Sequence, residues 1–414
     1  MAAPEDKNHL SSKEVADLLR IKPQTLYAYV SRGWIRSIGK DKRRGFLYSR
    51  DDVERLRARG HARTDGGLLK RGAPRWSEPI VQSSITKITP EGPEYRGRPA
   101  LELARRGHRF ENVAELLWSG AWVEEPSAWR MPHPPVPMDR VLSAMASDLS
   151  VPDSIKPLSA LVMTMALRPN GSDDLREGNT VLAARALLSS MPACLGYLAN
   201  SSRYAPDPAT ASLPAAILSA CGVEPAPAST QAVNAALVLL ADHELTPQTF
   251  AARLAASSGA NLYYCVSSAL SVHSGSRIRR SCDRVEDLLG SARNAKEFHA
   301  RFAELASSVS SVPGFNHPLY PDGDPRAMFL VEQARALAGT RKFRFGDLLD
   351  EAFREFGARP GVEAGLVALC HSLKMPYRSA GAILAIARSA GWIAHVIEQR
   401  LAGMMLRPRA RYMG

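Results

Sequence analysis

The sequence has few cysteines, and their arrangement argues against two common kinds of scaffold. The cysteines are five in number and show no C-x-x-C spacing: Cys194, Cys221, Cys265, Cys282 and Cys370. A disulfide framework needs paired cysteines, and a structural zinc site needs closely spaced Cys or His ligands. The sequence therefore favours neither, and it is typical of a protein of a reducing compartment such as the cytoplasm.

Long apolar segments and glycine-rich phosphate loops are also missing. No run of about eighteen apolar residues appears, so we expect no membrane span. The start of the chain, Met1–Leu10, is polar and lacks the apolar core of a signal peptide. No glycine-rich loop follows a strand pattern, which excludes Rossmann and P-loop nucleotide binding. With 45% hydrophobic residues, the 414-residue chain has enough apolar side chains for a sizeable core and suggests two or three domains.

Apolar residues recur with a helical period through most of the chain after Trp76. The clearest segments are Val113–Trp118, Thr180–Leu198 and Thr230–Leu240. A polar–apolar alternation over Pro79–Tyr95 predicts a small strand or hairpin at the entrance to this region. The predicted fold class is therefore all-α.

Positive charge is concentrated at the N-terminus. Residues 1–72 hold 17 Lys+Arg and 9 Asp+Glu, a difference of +8 out of the net +12 of the whole chain. Clustered basic residues favour a polyanionic partner, although a soluble basic surface is the alternative.

The first 60 residues have the pattern of a helix-turn-helix. Ser11-Ser12-Lys13-Glu14 predicts a capping box at the start of a helix, and Val15, Leu18 and Leu19 give that helix an apolar stripe. Pro23 suits the first turn of a second helix over 24–31, which Gly33 ends. The segment 39–48 is basic and hairpin-like, and Ser49 precedes a third helix.

The phrases "LSSKEVADLLRIKPQTLYAYVSRGWI" and "RRGFLYSRDDVERL" carry a family resemblance. This order of helices and basic hairpin resembles the MerR/excisionase winged helix-turn-helix family. In that family the second helix enters the major groove of DNA and a basic wing contacts the DNA backbone. The resemblance places three residues near base edges and three basic residues on phosphates, namely Gln24, Thr25 and Tyr27, then Lys42, Arg43 and Arg44. The alternative is a module kept for subunit or partner contacts.

Several phrases in the rest of the chain carry a second resemblance. They are "YRGRPALELA", "VAELLWSG", "LADHELTPQTFAARLAASSGANLY", "GFNHPLYPDGDPRA", "ARSAGWIAHVIEQ" and "RPRARYMG". In this order they resemble the citrate synthase family. The resemblance implies a two-domain, all-α citrate synthase fold that forms a homodimer and closes over its substrates. It divides the chain into a winged helix-turn-helix over 1–60, a linker over 61–76, a large domain over 77–273 and 367–414, and a small domain over 274–366.

The chemistry that the family implies joins an acyl-CoA to oxaloacetate. A base removes a proton from the thioester methyl group while a donor stabilises the enolate oxygen, and a second donor polarises the oxo-acid carbonyl. The resemblance assigns catalysis to His273, His317 and Glu363. It assigns oxaloacetate binding to His243, Arg326, Arg388 and Arg407, the last reaching across from the other subunit. It assigns CoA contacts to Gly314 and Phe315, and Arg277 is a further candidate for the CoA phosphates. No metal or prosthetic group is implied.

Three positions depart from the family pattern. Glu363 stands in Gly361-Val362-Glu363-Ala364, where the family has Asn-Val-Asp-Phe, and its extra methylene displaces the carboxylate by roughly 1 Å. His273-Ser274-Gly275-Ser276 replaces His-Gly-Gly-Ala. Asn316 replaces a usual glycine beside His317.

Two classes of function remain open at this point. The first is a cytoplasmic acyltransferase that makes citrate from acetyl-CoA or 2-methylcitrate from propionyl-CoA, because one methyl group discriminates only weakly. The second is a transcription regulator that senses its ligand through a slow or inactive synthase domain. His395 is interpreted as structural, packing between helices.

Overall fold

The protein is described by a computed structural model as two compact units, Met1–Ile80 and Val81–Gly414. The residues that the structure describes are 9–19, 26, 30, 35, 37–41, 45–49, 53, 81–125, 129, 137–145, 155–167, 179–199, 203–206, 212–275, 280–308 and 312–407. The unit boundary lies close to the predicted end of the linker. The further division at 274–366 into a small domain stays a prediction.

The N-terminal unit contains a three-stranded antiparallel sheet and a capped helix. Strands β1 (His9–Ser11), β2 (Ser37–Asp41) and β3 (Gly45–Ser49) are arranged in the order β1-β3-β2, and helix α1 spans Ser12–Leu19. The predicted capping box is confirmed: the Ser11 amide donates to Glu14 Oε2 at 2.7 Å, and the Glu14 amide donates to Ser11 Oγ at 3.4 Å. The pairing of β2 with β3 likewise confirms the basic hairpin.

Six apolar residues among those described in this unit share one small core. Its buried members are Leu10, Val15, Leu26, Ile35, Tyr48 and Val53. They include Leu26 from the predicted second helix and Val53 from the predicted third. The candidate DNA contacts lie outside the described residues, namely Gln24, Thr25, Tyr27, Lys42, Arg43 and Arg44.

The second unit opens with a small sheet and continues as helices. Strands β4 (Thr86–Thr89), β5 (Gly92–Tyr95) and β6 (Arg98–Pro99) form an antiparallel meander, which confirms the predicted hairpin. The described helices are α2 (Ala100–Arg105), α3 (Phe110–Ser119), α4 (Met138–Met145), α5 (Ile155–Ala166), α6 (Asn179–Ser190), α7 (Leu213–Ala220), α8 (Pro227–Leu240), α9 (Pro247–Ser257), α10 (Leu262–His273), α11 (Arg280–Ser291), α12 (Ala295–Ser308), α13 (Pro325–Ala338), α14 (Arg344–Phe356), α15 (Val362–Ser372) and α16 (Ser379–Ala402). A 3-10 helix over Met191–Tyr197 continues α6, because Pro192 cannot donate to the α-helical ladder.

Helix α16 is the central helix of this unit. It packs against α8, α9 and α10, and most of its residues are buried. Among the described residues, it alone has the length and apolar composition to cross a membrane, but its apolar window lies entirely inside the unit. The burial shows that its hydrophobic character serves the core of this unit, and it carries two residues of interest, Arg388 and His395.

Helices α13 and α15 approach each other at Gly365. A Cβ atom at Gly365 would lie 2.9 Å from both the Cα and the carbonyl oxygen of Ala327. We therefore expect Gly365→Ala to lower the free energy of unfolding by about 2 kcal/mol, the usual cost of forcing an extra methyl group into a packed contact.

Gly290→Ala on α11 is the matched control, because its Cβ would meet nothing within 4 Å. It is expected to raise stability by roughly 0.5–1 kcal/mol. Urea unfolding of both variants measures the two effects, and equal shifts would contradict this packing.

Glu286 on α11 gives the protein a pH-dependent contact with the start of α16. The Arg378 amide donates to Glu286 Oε2 at 2.9 Å, and Arg378 also pairs with Asp287. Burial, with the nearby Asp283 and Asp287 carboxylates, raises the pKa of Glu286 to about 7. The folded state then binds more protons than the unfolded state between the ordinary value of 4.5 and about 7, so stability falls as the pH rises through this window.

Replacing Glu286 by glutamine should remove that pH dependence. The amide keeps an acceptor for the Arg378 N–H but has no proton to lose. We expect Glu286→Gln to be more stable than the wild type at pH 8 by on the order of 2 kcal/mol, with the gap closing by pH 5. Thermal melts at both pH values test this, and parallel pH profiles would show that Glu286 does not titrate in this range.

Candidate active site

The turn after α8 carries the first candidate residue, His243. Its ring is buried, and Nε2 lies 3.2 Å from the hydroxyl of Tyr320. The centre of the His243 ring is 5.5 Å from that of His317, with the two rings nearly perpendicular. Two candidate histidines, separated by more than seventy positions in the sequence, therefore lie side by side.

The His317 loop is fixed by backbone contacts with the segment before α15. The Gly361 amide donates to the Gly314 carbonyl at 2.7 Å, and the Asn316 amide donates to the Arg359 carbonyl at 2.8 Å. Asn316 has a φ of 52°, in the left-handed region that glycine and asparagine enter most easily. This explains why asparagine is accepted where the family usually has glycine. These bonds hold the start of the Glu363 helix against the loop that carries His317.

The proton on His317 is placed by its own loop. The Leu319 amide donates to His317 Nδ1 at 3.2 Å, so Nδ1 is an acceptor and the neutral ring carries its proton on Nε2. Burial, together with the positive charge of Arg326, lowers the pKa of His317. The same two causes, in the same order, lower the pKa of His243. Both rings are therefore neutral near pH 7, and His317 presents an N–H donor.

Arg326 is held beside these histidines by Asp324. Asp324 caps α13 by accepting from the Arg326 amide at 3.0 Å, and its carboxylate receives Nε at 3.0 Å and Nη2 at 2.8 Å from the same side chain. Burial alone would lower the pKa of Arg326, but the Asp324 carboxylate raises it. The guanidinium is only 1% exposed, and its Nη1 has no hydrogen-bond partner among the described residues. A buried cation with an unused donor is a site for an anionic ligand.

Arg388 brings a second buried cation from α16. Its Nε donates to the Leu240 carbonyl at 3.0 Å, at the end of α8. Burial lowers its pKa, while the Asp242 carboxylate acts in the opposite direction. Leu240 lies three residues before His243, so this contact puts Arg388 next to the turn that carries His243, and its positive charge adds to the effect of burial in lowering the pKa of both His243 and His317.

Glu363 lies in the first turn of α15 and is partly buried. Burial and the charge of Arg326 lower the pKa of His317, and the negative charge of the Glu363 carboxylate acts in the opposite direction. The structure thus brings two neutral histidines and two buried arginines into one region, and the Glu363 carboxylate acts electrostatically on His317 and Arg388.

His273 ends α10 and packs against Trp392 of α16, the helix that also carries Arg388. It is buried, with Nδ1 lying 3.5 Å from the Gln248 side-chain nitrogen. The centre of its ring is 5.9 Å from that of Trp392, which lies one helical turn beyond Arg388. Gln248 and Trp392 therefore orient the ring of His273, and the sequence carries no local signal of this role for either residue.

The remaining candidates occupy different surroundings. The side chain of Phe315 is buried, with its ring centre 5.2 Å from that of Phe302, so only its backbone is available near the loop. Arg407 is exposed in the single chain, and its role across a dimer stays a prediction. Arg277 lies outside the described residues. Within the described residues, no group of three or more His, Cys, Asp or Glu side chains is arranged to hold a metal ion.

Two more side chains complete the site without having been singled out as functional. Tyr320 lies between His243 and Arg326, with the Arg326 guanidinium carbon 5.3 Å from the centre of its ring. Asp324 pairs with Arg326 as described above. The Asp-Pro-Arg spacing contained a signal for Asp324, because an aspartate before proline is a strong helix start. Tyr320 had no comparable local signal.

A family model described as "Citrate synthase, C-terminal domain" matches residues 75–409, and one described as "Helix-turn-helix domain" matches residues 10–61. The citrate synthase of Mycolicibacterium smegmatis is 29% identical over 359 residues, covering 81% of this chain and 93% of that protein. The 2-methylcitrate synthase of Mycobacterium tuberculosis is 27% identical over 358 residues, covering 81% and 88%.

Solved structures agree on the fold. The citrate synthase of Thermoplasma acidophilum, solved as a ternary complex with carboxymethyl coenzyme A and oxaloacetate, shares the fold with a TM-score of 0.69 at 21% identity, covering 81% of this chain and 94% of that one. The citrate synthase of Thermotoga maritima gives a TM-score of 0.64 at 22% identity. With four-fifths of its length matched by the family model and the same fold in solved members, this chain belongs to the citrate synthase family and carries a helix-turn-helix domain ahead of the synthase domain.

Proposed function

We propose that the protein condenses acetyl-CoA or propionyl-CoA with oxaloacetate to give citrate or 2-methylcitrate and free CoA. The observation that carries the proposal is the buried pair Arg326 and Arg388 beside the neutral His243 and His317. Two fixed guanidinium groups match the two carboxylates of oxaloacetate, and an N–H donor suits its central carbonyl.

The reaction divides among the side chains as follows. Glu363 takes a proton from the carbon next to the thioester carbonyl, and His273 stabilises the oxygen of the resulting enol. The enol carbon attacks the oxaloacetate carbonyl, whose oxygen receives the Nε2–H of His317. Water then cleaves the thioester of the product and releases CoA. These steps call for no metal or prosthetic group, and we expect the protein in the cytoplasm.

Product analysis tests the proposal and selects the donor. The protein is incubated with oxaloacetate and either acetyl-CoA or propionyl-CoA, and the acid produced is identified by mass spectrometry. Citrate or 2-methylcitrate is expected, and the faster reaction names the preferred donor. Neither product, with both donors at saturating concentration, would contradict the proposal.

We also propose that two copies pair through an apolar face on α9, α10 and the end of α16. The exposed apolar side chains there are Leu254, Tyr264, Leu401, Met404 and Met405. Leu254 and Met405 line one groove of about 500 Å³, and Arg407 lies two residues beyond Met405. Exposed apolar patches of this kind mark protein contacts, and a second copy on this face would lie next to Arg407.

Subunit mixing tests whether Arg407 acts across the dimer. Glu363→Gln and Arg407→Ala proteins are each expected to be nearly inactive. In a mixed dimer, one site would combine an intact Glu363 with an intact Arg407 from the partner. Refolding equal amounts together should therefore restore about a quarter of the wild-type activity. No restoration, with dimers present by light scattering, would place Arg407 outside the partner's site.

We further propose that the N-terminal unit binds DNA. Its β2–β3 hairpin, the helix-turn-helix match and the local +8 charge support this. Selection from random duplexes, followed by titration at several salt concentrations, provides the test. Replacing Lys42, Arg43 and Arg44 by alanine should weaken binding. It should also reduce the slope of log binding constant against log salt concentration by up to about 3. Arg354→Ala in the synthase domain is the control. No selected duplex would favour the alternative of a partner-contact module.

A further inference from the structure

A buried polar network lies next to His243 and Arg388, the two residues assigned to oxaloacetate on the turn after α8 and on α16. It consists of Asp242, His395, Arg253 and Glu398. His395 Nε2 is 3.4 Å from Asp242 Oδ2, its Nδ1 is 3.0 Å from Arg253 Nη1, and Arg253 Nη1 is 2.6 Å from Glu398 Oε2. Asp242 and His395 are fully buried, and Arg253 is 2% exposed. None of these four residues is part of the proposed chemistry.

Arg253 fixes the tautomer of His395. A guanidinium can only donate hydrogen bonds, so His395 Nδ1 must accept from Arg253. The proton of the neutral imidazole is therefore on Nε2, where it faces the Asp242 carboxylate. Gln399 Oε1 accepts from Arg253 Nε at 3.1 Å and holds the guanidinium in this orientation. The network thus has one direction of donation, from Arg253 through His395 to Asp242.

Asp242 in turn holds the backbone turn that presents His243. Asp242 Oδ2 accepts from the Glu244 amide at 3.0 Å. Glu244 has a φ of 60°, a left-handed conformation that costs a non-glycine residue roughly 1 kcal/mol. His243 lies between these two residues. The conformation that aims its ring at Tyr320 is therefore maintained by the carboxylate that His395 contacts.

The Asp242 carboxylate also acts on the charge of Arg388. Helix α16, which carries Arg388, packs against the turn that carries Asp242 and His243. Burial lowers the pKa of Arg388, and the Asp242 carboxylate counteracts this effect. The Gly391 amide donates to the Ala241 carbonyl at 2.9 Å, and a Cβ atom at Gly391 would lie 2.7 Å from that oxygen. The carboxylate is thus in contact with the elements that carry both His243 and Arg388.

We infer that His395 and Arg253 are positioning residues for oxaloacetate, acting through Asp242 on His243 and Arg388. Buried ionic groups add little net stability compared with apolar side chains of the same size, so the geometry they impose is their clearest effect. The inference rests on the proposed function, because it assigns the network to the oxo-acid half of that site and not to the acyl-CoA half.

Paired substitutions at His395 give the test. His395→Leu removes both hydrogen bonds. His395→Gln retains an N–H donor for Asp242 and an oxygen acceptor for Arg253. We expect His395→Leu to raise the KM for oxaloacetate roughly 10- to 100-fold, the usual effect of a small displacement of binding groups. The KM for the acyl-CoA should change less than about threefold, and His395→Gln should recover most of the loss.

Val396→Ala is the matched control on the same helix. Val396 is fully buried next to His395, so its truncation lowers the melting temperature without touching the network. Its KM for oxaloacetate should stay at the wild-type value. If His395→Leu does not fold, Arg253→Met and Arg253→Gln replace it, with oxaloacetate affinity measured by calorimetry.

Two results separate the failure of this inference from that of the proposed function. Wild-type oxaloacetate binding and CoA release are measured first, and their absence overturns the proposed function together with this inference. If the wild type is active and His395→Leu changes both KM values equally, or neither of them, then the network is structural and the positioning role is wrong. A selective loss of oxaloacetate affinity, restored by glutamine, supports the role.

Discussion

Replacing Glu363 by glutamine is expected to lower kcat about 1000-fold, within the range that general bases contribute to proton transfer. The amide keeps the size and polarity of the side chain but cannot accept a proton from carbon. Glu363 lies at the surface of the site in the first turn of α15, so the substitution leaves the core intact. Stopped-flow or steady-state assays of CoA release measure the effect.

Glu363→Asp is the informative companion. Aspartate is the residue that the family usually has here, and it retains the carboxylate but moves it back by roughly 1 Å. The activity of this variant therefore shows whether the backbone of the site is adapted to the longer glutamate side chain. A loss of about 10- to 100-fold indicates adaptation, whereas a gain indicates that the longer side chain limits turnover. If Glu363→Gln retains kcat within about tenfold of the wild type while its melting temperature is unchanged, Glu363 is not the base.

Replacing Arg388 by glutamine is expected to raise the KM for oxaloacetate about 100-fold, because the variant loses a charged hydrogen bond in a buried site. The substitution also removes the positive charge of Arg388 that acts on the Asp242 carboxylate, which adds to the effect. The KM for the acyl-CoA should change little, since Arg388 is assigned to the oxo-acid side. Steady-state kinetics with each substrate varied in turn separates the two constants.

Arg335→Gln is the control for this charge change. Arg335 lies on α13 like Arg326, but it pairs with Asp350 at the surface and its side chain is 41% exposed. Surface ion pairs contribute little, so both KM values should match the wild type. Equal effects of Arg388→Gln on the two KM values would contradict the assignment of Arg388 to oxaloacetate.

Local signals predicted the parts of the fold that depend on near neighbours in sequence. The capping box at Ser11 and Glu14, the hairpin that ends at Tyr95 and the end of α8 before Asp242 are all confirmed. Each depends on hydrogen bonds or apolar spacing within a few residues. The burial of His395 and its contact with Arg253 of α9 confirm that it packs between helices, but the sequence did not predict the polar network on which its proposed positioning role rests.

The contacts that assemble the site span long stretches of the chain and left no local pattern. Tyr320 contacts His243 across 77 positions, and Asp242 contacts His395 across 153. Neither contact could be predicted from periodicity, since tertiary packing alone brings the residues together. An arginine after Asp-Pro is usually a surface residue, yet Arg326 is fully buried because Asp324 neutralises it. The predicted catalytic positions come from the family resemblance and not from local pattern.

Release of CoA thiol by the purified protein, with oxaloacetate and acetyl-CoA or propionyl-CoA, tests the central claim most directly. Glu363→Gln and His317→Ala proteins are assayed beside the wild type. We expect oxaloacetate-dependent release by the wild type at least about 100-fold above both variants. No release above the variants with either donor, from wild-type protein that still binds oxaloacetate, would contradict it and favour a ligand-sensing regulator.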